Sequence, residues 1–189
     1  MTWLAAGRES GLAEVERQVL ECLLCRLWES RLIAVPGEGD PAAPLMLIGE
    51  APGQSEDAIG RPFTGPSGRY LDACLAEVGL SRGRLFITSS VKCRPPGNRV
   101  PRSDELKTCS RYWRRQLELI DPRYVLLLGR VATRAVLGLE FAQAAGRFEE
   151  RAGRVYLATY HPAAARRFPS KAGRLFKAHL ARLAPLIFP

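Results

Sequence analysis

The stretch Leu45-Met46-Leu47-Ile48-Gly49-Glu50-Ala51-Pro52-Gly53 decides the architecture of this chain. Its first four residues form an unbroken apolar run. A short run without polar alternation reads as a strand buried on both faces, the habit of parallel sheets. Gly49 closes the run, and the Pro52-Gly53 pair then makes a tight turn. The turn lacks a Walker lysine and Gly-x-Gly-x-x-Gly spacing, so it is not a phosphate loop. Glycine and proline there let a ligand approach the backbone closely. Glu50, at a strand end, points into the cleft. The competing reading is a plain strand-to-loop turn with a solvated carboxylate.

Working outward, the same pattern returns. Leu85-Phe86-Ile87-Thr88, Tyr124-Val125-Leu126-Leu127-Leu128 and Val155-Tyr156-Leu157-Ala158-Thr159 read as three more strands. Between them, 67–79, 103–120 and a segment ending near Leu137 read as helices, with a last helix over about 170–184. Leu12, Val15, Val19, Leu20 and Leu23 recur at helical spacing, which predicts a helix over 9–29 that carries Cys22 and Cys25 near its end. Strands alternating with helices imply right-handed crossovers and a parallel sheet covered on both faces, an α/β fold. In such sheets the site lies beyond the carboxyl ends of the strands. Gly49 to Gly53, Ser89, Gly129 and His161 all fall there. No internal repeat or second domain is visible, so residues 1–189 read as one domain.

The chain has 189 residues, 47% hydrophobic and 25% charged, the composition of an ordinary globular protein. No apolar run approaches the ~20 residues that span a bilayer. The first ten residues lack the basic start and apolar stretch of a secretory signal, which makes metal binding a better use of the cysteines than disulfides. Cys22 and Cys25 form a Cys-x-x-Cys pair, and Cys93 and Cys109 follow far downstream. Four thiolates at this spacing meet only if the fold gathers distant segments. Zinc and an iron–sulfur cluster both suit such a donor set. Cys74 lies on an apolar helix face and reads as a small buried hydrophobe.

Charge is unevenly divided. Residues 1–89 carry 8 basic and 12 acidic groups, a net of −4, and residues 90–189 carry 20 and 7, a net of +13. The second half therefore reads as a polyanion face, although an arginine-rich composition alone gives the same count. Arg166, Arg167 and Lys171, with Arg174 and Lys177, follow His161-Pro162 and would contact phosphates beside the cleft. The plain alternative is a solvated helix face. Phe63 sits in the stiff Gly60–Gly68 segment, where a phenyl ring offers a stacking surface for a base or fills the core. His161 could donate to a developing oxyanion or simply bond a carbonyl. His179, in the last helix, reads as structural.

Taken together, these motifs resemble those of the family 4 uracil-DNA glycosylases, the thermostable iron–sulfur branch of that superfamily. The likeness runs over about residues 15 to 180. It rests on Cys22-x-x-Cys25, Val35-Pro36-Gly37-Glu38-Gly39, Gly49-Glu50-Ala51-Pro52-Gly53, Gly60-Arg61-Pro62-Phe63, the Val91–Arg99 stretch and Tyr160-His161-Pro162-Ala163-Ala164. The resemblance implies a three-layer α/β/α sandwich with a central four-stranded parallel sheet. It implies removal of uracil from DNA by hydrolysis of the N-glycosidic bond, in a prokaryotic, cytoplasmic, nucleoid-associated monomer. It also implies a structural 4Fe–4S cluster on Cys22, Cys25, Cys93 and Cys109.

By the same resemblance, His161 donates to uracil O2, and Glu50, or else Glu56, handles the attacking water. Phe63 stacks on the base, and the backbone of Ala51, Pro52 and Gly53 bonds it. Two positions depart from the family. Ser89 stands where relatives carry an asparagine that reads the base edge, and Arg166 stands where they often carry leucine. Two alternatives follow: a same-fold glycosylase acting on other deaminated bases, and a non-catalytic iron–sulfur DNA-binding protein.

Overall fold

The computed structural model describes residues 2–187. Six strands follow in chain order: β1 (Glu38–Gly39), β2 (Leu45–Gly49), β3 (Phe86–Ser89), β4 (Tyr124–Leu128), β5 (Phe148–Arg151) and β6 (Arg154–Thr159). The helices are α1 (Thr2–Leu20), α2 (Gln54–Ile59), α3 (Pro66–Glu77), α4 (Ser103–Ile120), α5 (Arg130–Leu137), α6 (Phe141–Ala144), α7 (Pro162–Arg167) and α8 (Arg174–Ile187). All strands join one sheet in the order β1-β3-β2-β4-β6-β5. The four inner strands are mutually parallel, and β1 and β5 add short antiparallel edges. No helix among the described residues is long and apolar enough to cross a membrane.

The apolar runs are unbroken because both faces of the sheet are covered. Side chains alternate between faces along a strand. Leu45, Leu47, Ile87, Leu126 and Leu157 therefore meet α3 and α8 through Leu71, Leu75, Phe176 and Leu180. Met46, Ile48, Phe86, Leu127 and Tyr156 meet the other layer through Trp113, Ile120, Ala132 and Leu137. This is the expected three-layer α/β/α arrangement. A third apolar cluster, with Val15, Val19, Leu27 and Tyr112, surrounds the cysteines.

Three local expectations are corrected. The first helix ends at Leu20, so Cys22 lies in a turn and Cys25 precedes a short 3-10 turn over Arg26–Glu29. Leu23 and Leu24 are exposed, so the apolar spacing buries nothing there. The sheet gains two edge strands. Neither carries an apolar run: β1 has only two residues, and β5 reads Phe-Glu-Glu-Arg and is mostly exposed. The last helix begins at Arg174, after a wide turn over Pro169–Gly173.

Candidate active site

The carboxyl ends of the four parallel strands open on one cleft of about 890 Å³. It lies where the doubly wound order reverses: β2 is flanked by β3 on one side and β4 on the other, and the connections cover opposite faces. A parallel α/β sheet leaves its crevice at that switch point. Glu50 follows β2, Ser89 ends β3, Gly129 and Arg130 follow β4, and Tyr160 and His161 follow β6; all line the cleft.

His161 caps α7. Its Nδ1 accepts the Ala163 backbone N–H at 3.1 Å, satisfying one of the unpaired amides of a helix start. With Nδ1 an acceptor, the proton of the neutral ring sits on Nε2. Burial pushes the imidazole pKa down to about 4, against a smaller upward pull from the Glu56 charge. Some solvent still reaches the side chain, but the ring lies deep enough that its neutral form dominates near neutral pH. The site therefore holds an uncharged N–H donor.

Phe63 belongs both to the core and to the cleft wall; it is 7% exposed. Its ring lies over the end of β2, where a Cβ at Gly49 would come within 2.6 Å of Cζ. The Phe63 and His161 rings are 5.9 Å apart at 30°. A flat ring between them would need two contacts of about 3.5 Å each. A flat ring therefore does not fit between the two side chains. Phe63 has φ 53, a left-handed backbone that costs a bulky residue about 1–3 kcal/mol. Its loop is held by Glu56, whose Oε1 accepts from Thr64 N and Gly65 N, both at 2.8 Å, and whose Oε2 accepts from Gly53 N at 3.0 Å. Hydrogen bonds to a charged group contribute about 1.5–3 kcal/mol each, enough together to offset that strain.

The two carboxylates named from sequence are thereby separated. Glu56 lines the cleft but spends both oxygens on backbone amides. Glu50 is half-buried at the cleft, and burial raises its pKa above the usual carboxylate range, opposed by the Arg130 charge. Ala51, Pro52 and Gly53 continue the same wall, and Ser89, 4% exposed, lines the cleft from β3.

The cysteine segments meet in the third apolar cluster. All five cysteines are free thiols. Cys74 lies apart, buried in the core under α3 and α8. Cys93 and Cys109 are buried in the third cluster, and Cys22 and Cys25 pack against it. No trio of His, Cys, Asp or Glu side chains among the described residues is gathered tightly enough to hold a single metal ion. Donors aim at the sulfurs: Arg31 Nη1 at Cys93 Sγ (3.1 Å) and Lys92 N at Cys109 Sγ (3.2 Å). Burial pushes the Cys93 and Cys109 thiols up, and these N–H···S bonds pull the other way. Residues 32–35 are tied to α2 and to the segment that carries Cys93, since Leu32 N donates to Asp57 Oδ1 at 2.9 Å and Val35 N to Lys92 O at 2.7 Å.

Comparison with known proteins agrees with this geometry. Residues 36–184 match the family model "Uracil DNA glycosylase superfamily". The chain belongs to that superfamily. It is 42% identical over 164 residues to a type-4 uracil-DNA glycosylase of Sulfurisphaera tokodaii, covering 80% of this chain and 74% of that one. A type-4 enzyme of Archaeoglobus fulgidus is 38% identical, covering 80% and 81%. A type-5 uracil-DNA glycosylase of Thermus thermophilus is 37% identical over 149 residues, covering 67% and 68%.

In this member of the superfamily the cleft also takes one residue outside the quoted motifs, Arg130, and two within them to which the resemblance gives no role. Arg130, Asn98 and Tyr160 also line it. Arg130 is exposed and places a cation opposite Glu50. Its only sequence signal is position: it follows the glycine that ends the third apolar run. Arg166 and Arg167 are exposed on α7, and Lys171 is exposed in the turn after it. None of the three lines the cleft itself; Ala163 and Ala164 of the same helix do. His179 is buried and shares a 2.9 Å hydrogen bond with Thr159.

Proposed function

We propose that this chain is a monofunctional uracil-DNA glycosylase, hydrolysing the bond between uracil and deoxyribose to leave an abasic site. One observation carries the reading: a neutral imidazole and a phenyl ring 5.9 Å apart, at the switch point of a sheet, in a chain whose relatives bear that name. Uracil leaves the duplex at a cost of a few kcal/mol and stacks on Phe63. The backbone of Ala51, Pro52 and Gly53 bonds the base and excludes bulk water. As the glycosidic bond stretches, negative charge gathers on the base and positive charge on the sugar. His161 Nε2–H donates to uracil O2. Ionised Glu50 orients the attacking water and offsets the sugar charge. Glu56 holds the loop and does not touch the water.

A panel of oligonucleotides, each with one uracil, hypoxanthine or xanthine, tests this by alkaline cleavage of the abasic product. Uracil is cut; cleavage of the purine lesions alone, or of nothing, would sink the reading. Ser89 stands at the base edge with one hydroxyl. Ser89→Asn restores a two-sided amide contact and raises the uracil rate about two- to tenfold, the value of one net hydrogen bond. A slower variant removes Ser89 from the base edge.

Arg166, Arg167 and Lys171 hold phosphates beside the cleft. Replacing each with alanine reduces the slope of log affinity against log salt by about 0.7–0.9. Unchanged slopes would return these residues to a solvated face.

Cys22, Cys25, Cys93 and Cys109 would hold a 4Fe–4S cluster. The four cysteine segments meet in one apolar cluster, and four thiolates are the donor set a 4Fe–4S cluster takes. When bound, it acts as a staple between the amino-terminal segment and α4, while the hydrolysis runs on protein groups alone. The purified protein is expected to be brown, with iron and inorganic sulfide in equal amounts; zinc in their place would overturn the assignment.

A further inference from the structure

We propose that Arg82 is a positioning residue for the base site, setting the pose of the Phe63 ring from outside the cleft. The inference rests on the reading of Phe63 as the stacking surface.

Arg82 follows α3 and is not among the residues that line the cleft. Its guanidinium reaches the loop that presents Phe63. Nη1 donates to the Phe63 carbonyl at 3.2 Å, and Nη2 donates to the Pro62 carbonyl. The planar fork suits two successive carbonyls, which a lysine ammonium cannot copy. The guanidinium is itself fixed from two sides: Nε donates to Glu38 Oε1 at 3.1 Å and Nη1 to Asp72 Oδ1 at 3.1 Å. Glu38 also accepts from Arg61 Nε at 2.7 Å. Burial pushes the Glu38 carboxyl pKa up, but the two arginines outweigh it and hold it below the usual range.

The loop needs such a clamp. Phe63 has left-handed backbone, and its carbonyl lies against α3 so closely that a Cβ at Gly68 would come within 1.7 Å of it. Glu56 ties the amides that follow Phe63, and Arg82 ties the carbonyls of Pro62 and Phe63. With both in place the peptide planes on either side of Phe63 Cα are fixed, and so is the direction of its ring. Without Arg82 the preceding plane is free to turn, and the plane of Phe63 O and Thr64 N keeps only one of its two anchors.

A simple surface ion pair would stabilise the fold without acting through Phe63. A double-mutant cycle separates the two. Single-turnover uracil release and DNA affinity are measured for Arg82→Gln, Phe63→Ala and the double variant. Phe63→Ala is expected to slow release by about 5- to 150-fold, the value of one stacked base. Arg82→Gln is expected to slow release by about tenfold with DNA affinity unchanged, and to add less than about twofold once Phe63 is gone. Full additivity, or a wild-type rate in Arg82→Gln, overturns the proposal.

Hydrogen exchange gives a readout independent of catalysis. Arg82→Gln should speed exchange at the Thr64 and Gly65 amides and leave the β4 amides unchanged; equal protection at Thr64 and Gly65 overturns the claim. If Arg82→Gln unfolds, Glu38→Gln, which loosens the brace but keeps the guanidinium, carries both measurements. A wild-type protein that releases no uracil would defeat the proposed function, and the exchange data would still decide the role of Arg82.

Discussion

His161→Ala lowers the rate of uracil release by about 10²–10³, the effect of deleting one preorganised oxyanion donor, while DNA binding stays nearly unchanged. The start of α7 pins the ring. Ala163 N–H occupies Nδ1, so only Nε2–H can face the cleft. The donor costs no reorganisation when charge appears on the base. It is also neutral, since burial holds the pKa at about 4. A neutral donor shares the proton with the leaving anion rather than surrendering it. His161→Gln, which keeps an N–H on a more flexible stem, should recover part of the loss. Single-turnover kinetics at saturating enzyme measure it. An unchanged rate in His161→Ala would end the assignment.

Glu50→Gln lowers the same rate by about 10²–10⁴, the range for a positioned general base or its equivalent. Glutamine has almost the same shape, so a loss reports charge rather than packing. The pH profile supplies the sign. Burial raises the Glu50 pKa, so its carboxylate protonates at a higher pH than an exposed one. The active form is ionised, and the rate therefore falls as pH falls through that raised pKa. The limb should vanish in Glu50→Gln. His161 loses its neutral form only at about pH 4, below the range in which an ordinary imidazole titrates. An acid limb near the ordinary imidazole range that survives Glu50→Gln would belong to His161 and overturn its neutral assignment.

Much of this site was legible before any coordinates. An unbroken apolar run marks a strand of a parallel sheet, and four such runs, two of them closed by Gly49 and Gly129, mark a cleft at their ends, because strand burial follows directly from residue type. Helix α4 was readable to its ends, Ser103 and Ile120, since its start signals and apolar period agree. The edge strands β1 and β5 were not, because pairing at a sheet edge asks only for a neighbour's free N–H and C=O groups. The helix end at Leu20 was misread for a related reason: apolar spacing continues through Leu23 and Leu24, yet nothing packs on them. Arg130 carried no motif at all.

By itself the sequence determined the four parallel strands, the cleft at their ends, the cysteine set, and a histidine at the end of the last parallel strand. Only the tertiary structure tells the surroundings of Glu50 and Glu56 apart. Both are acidic and both lie near one turn, but the amides of Gly53, Thr64 and Gly65 converge on Glu56 and leave Glu50 in a buried place facing Arg130. Residue type states what a group can do; the partners that fold against it decide which of those things it is free to do.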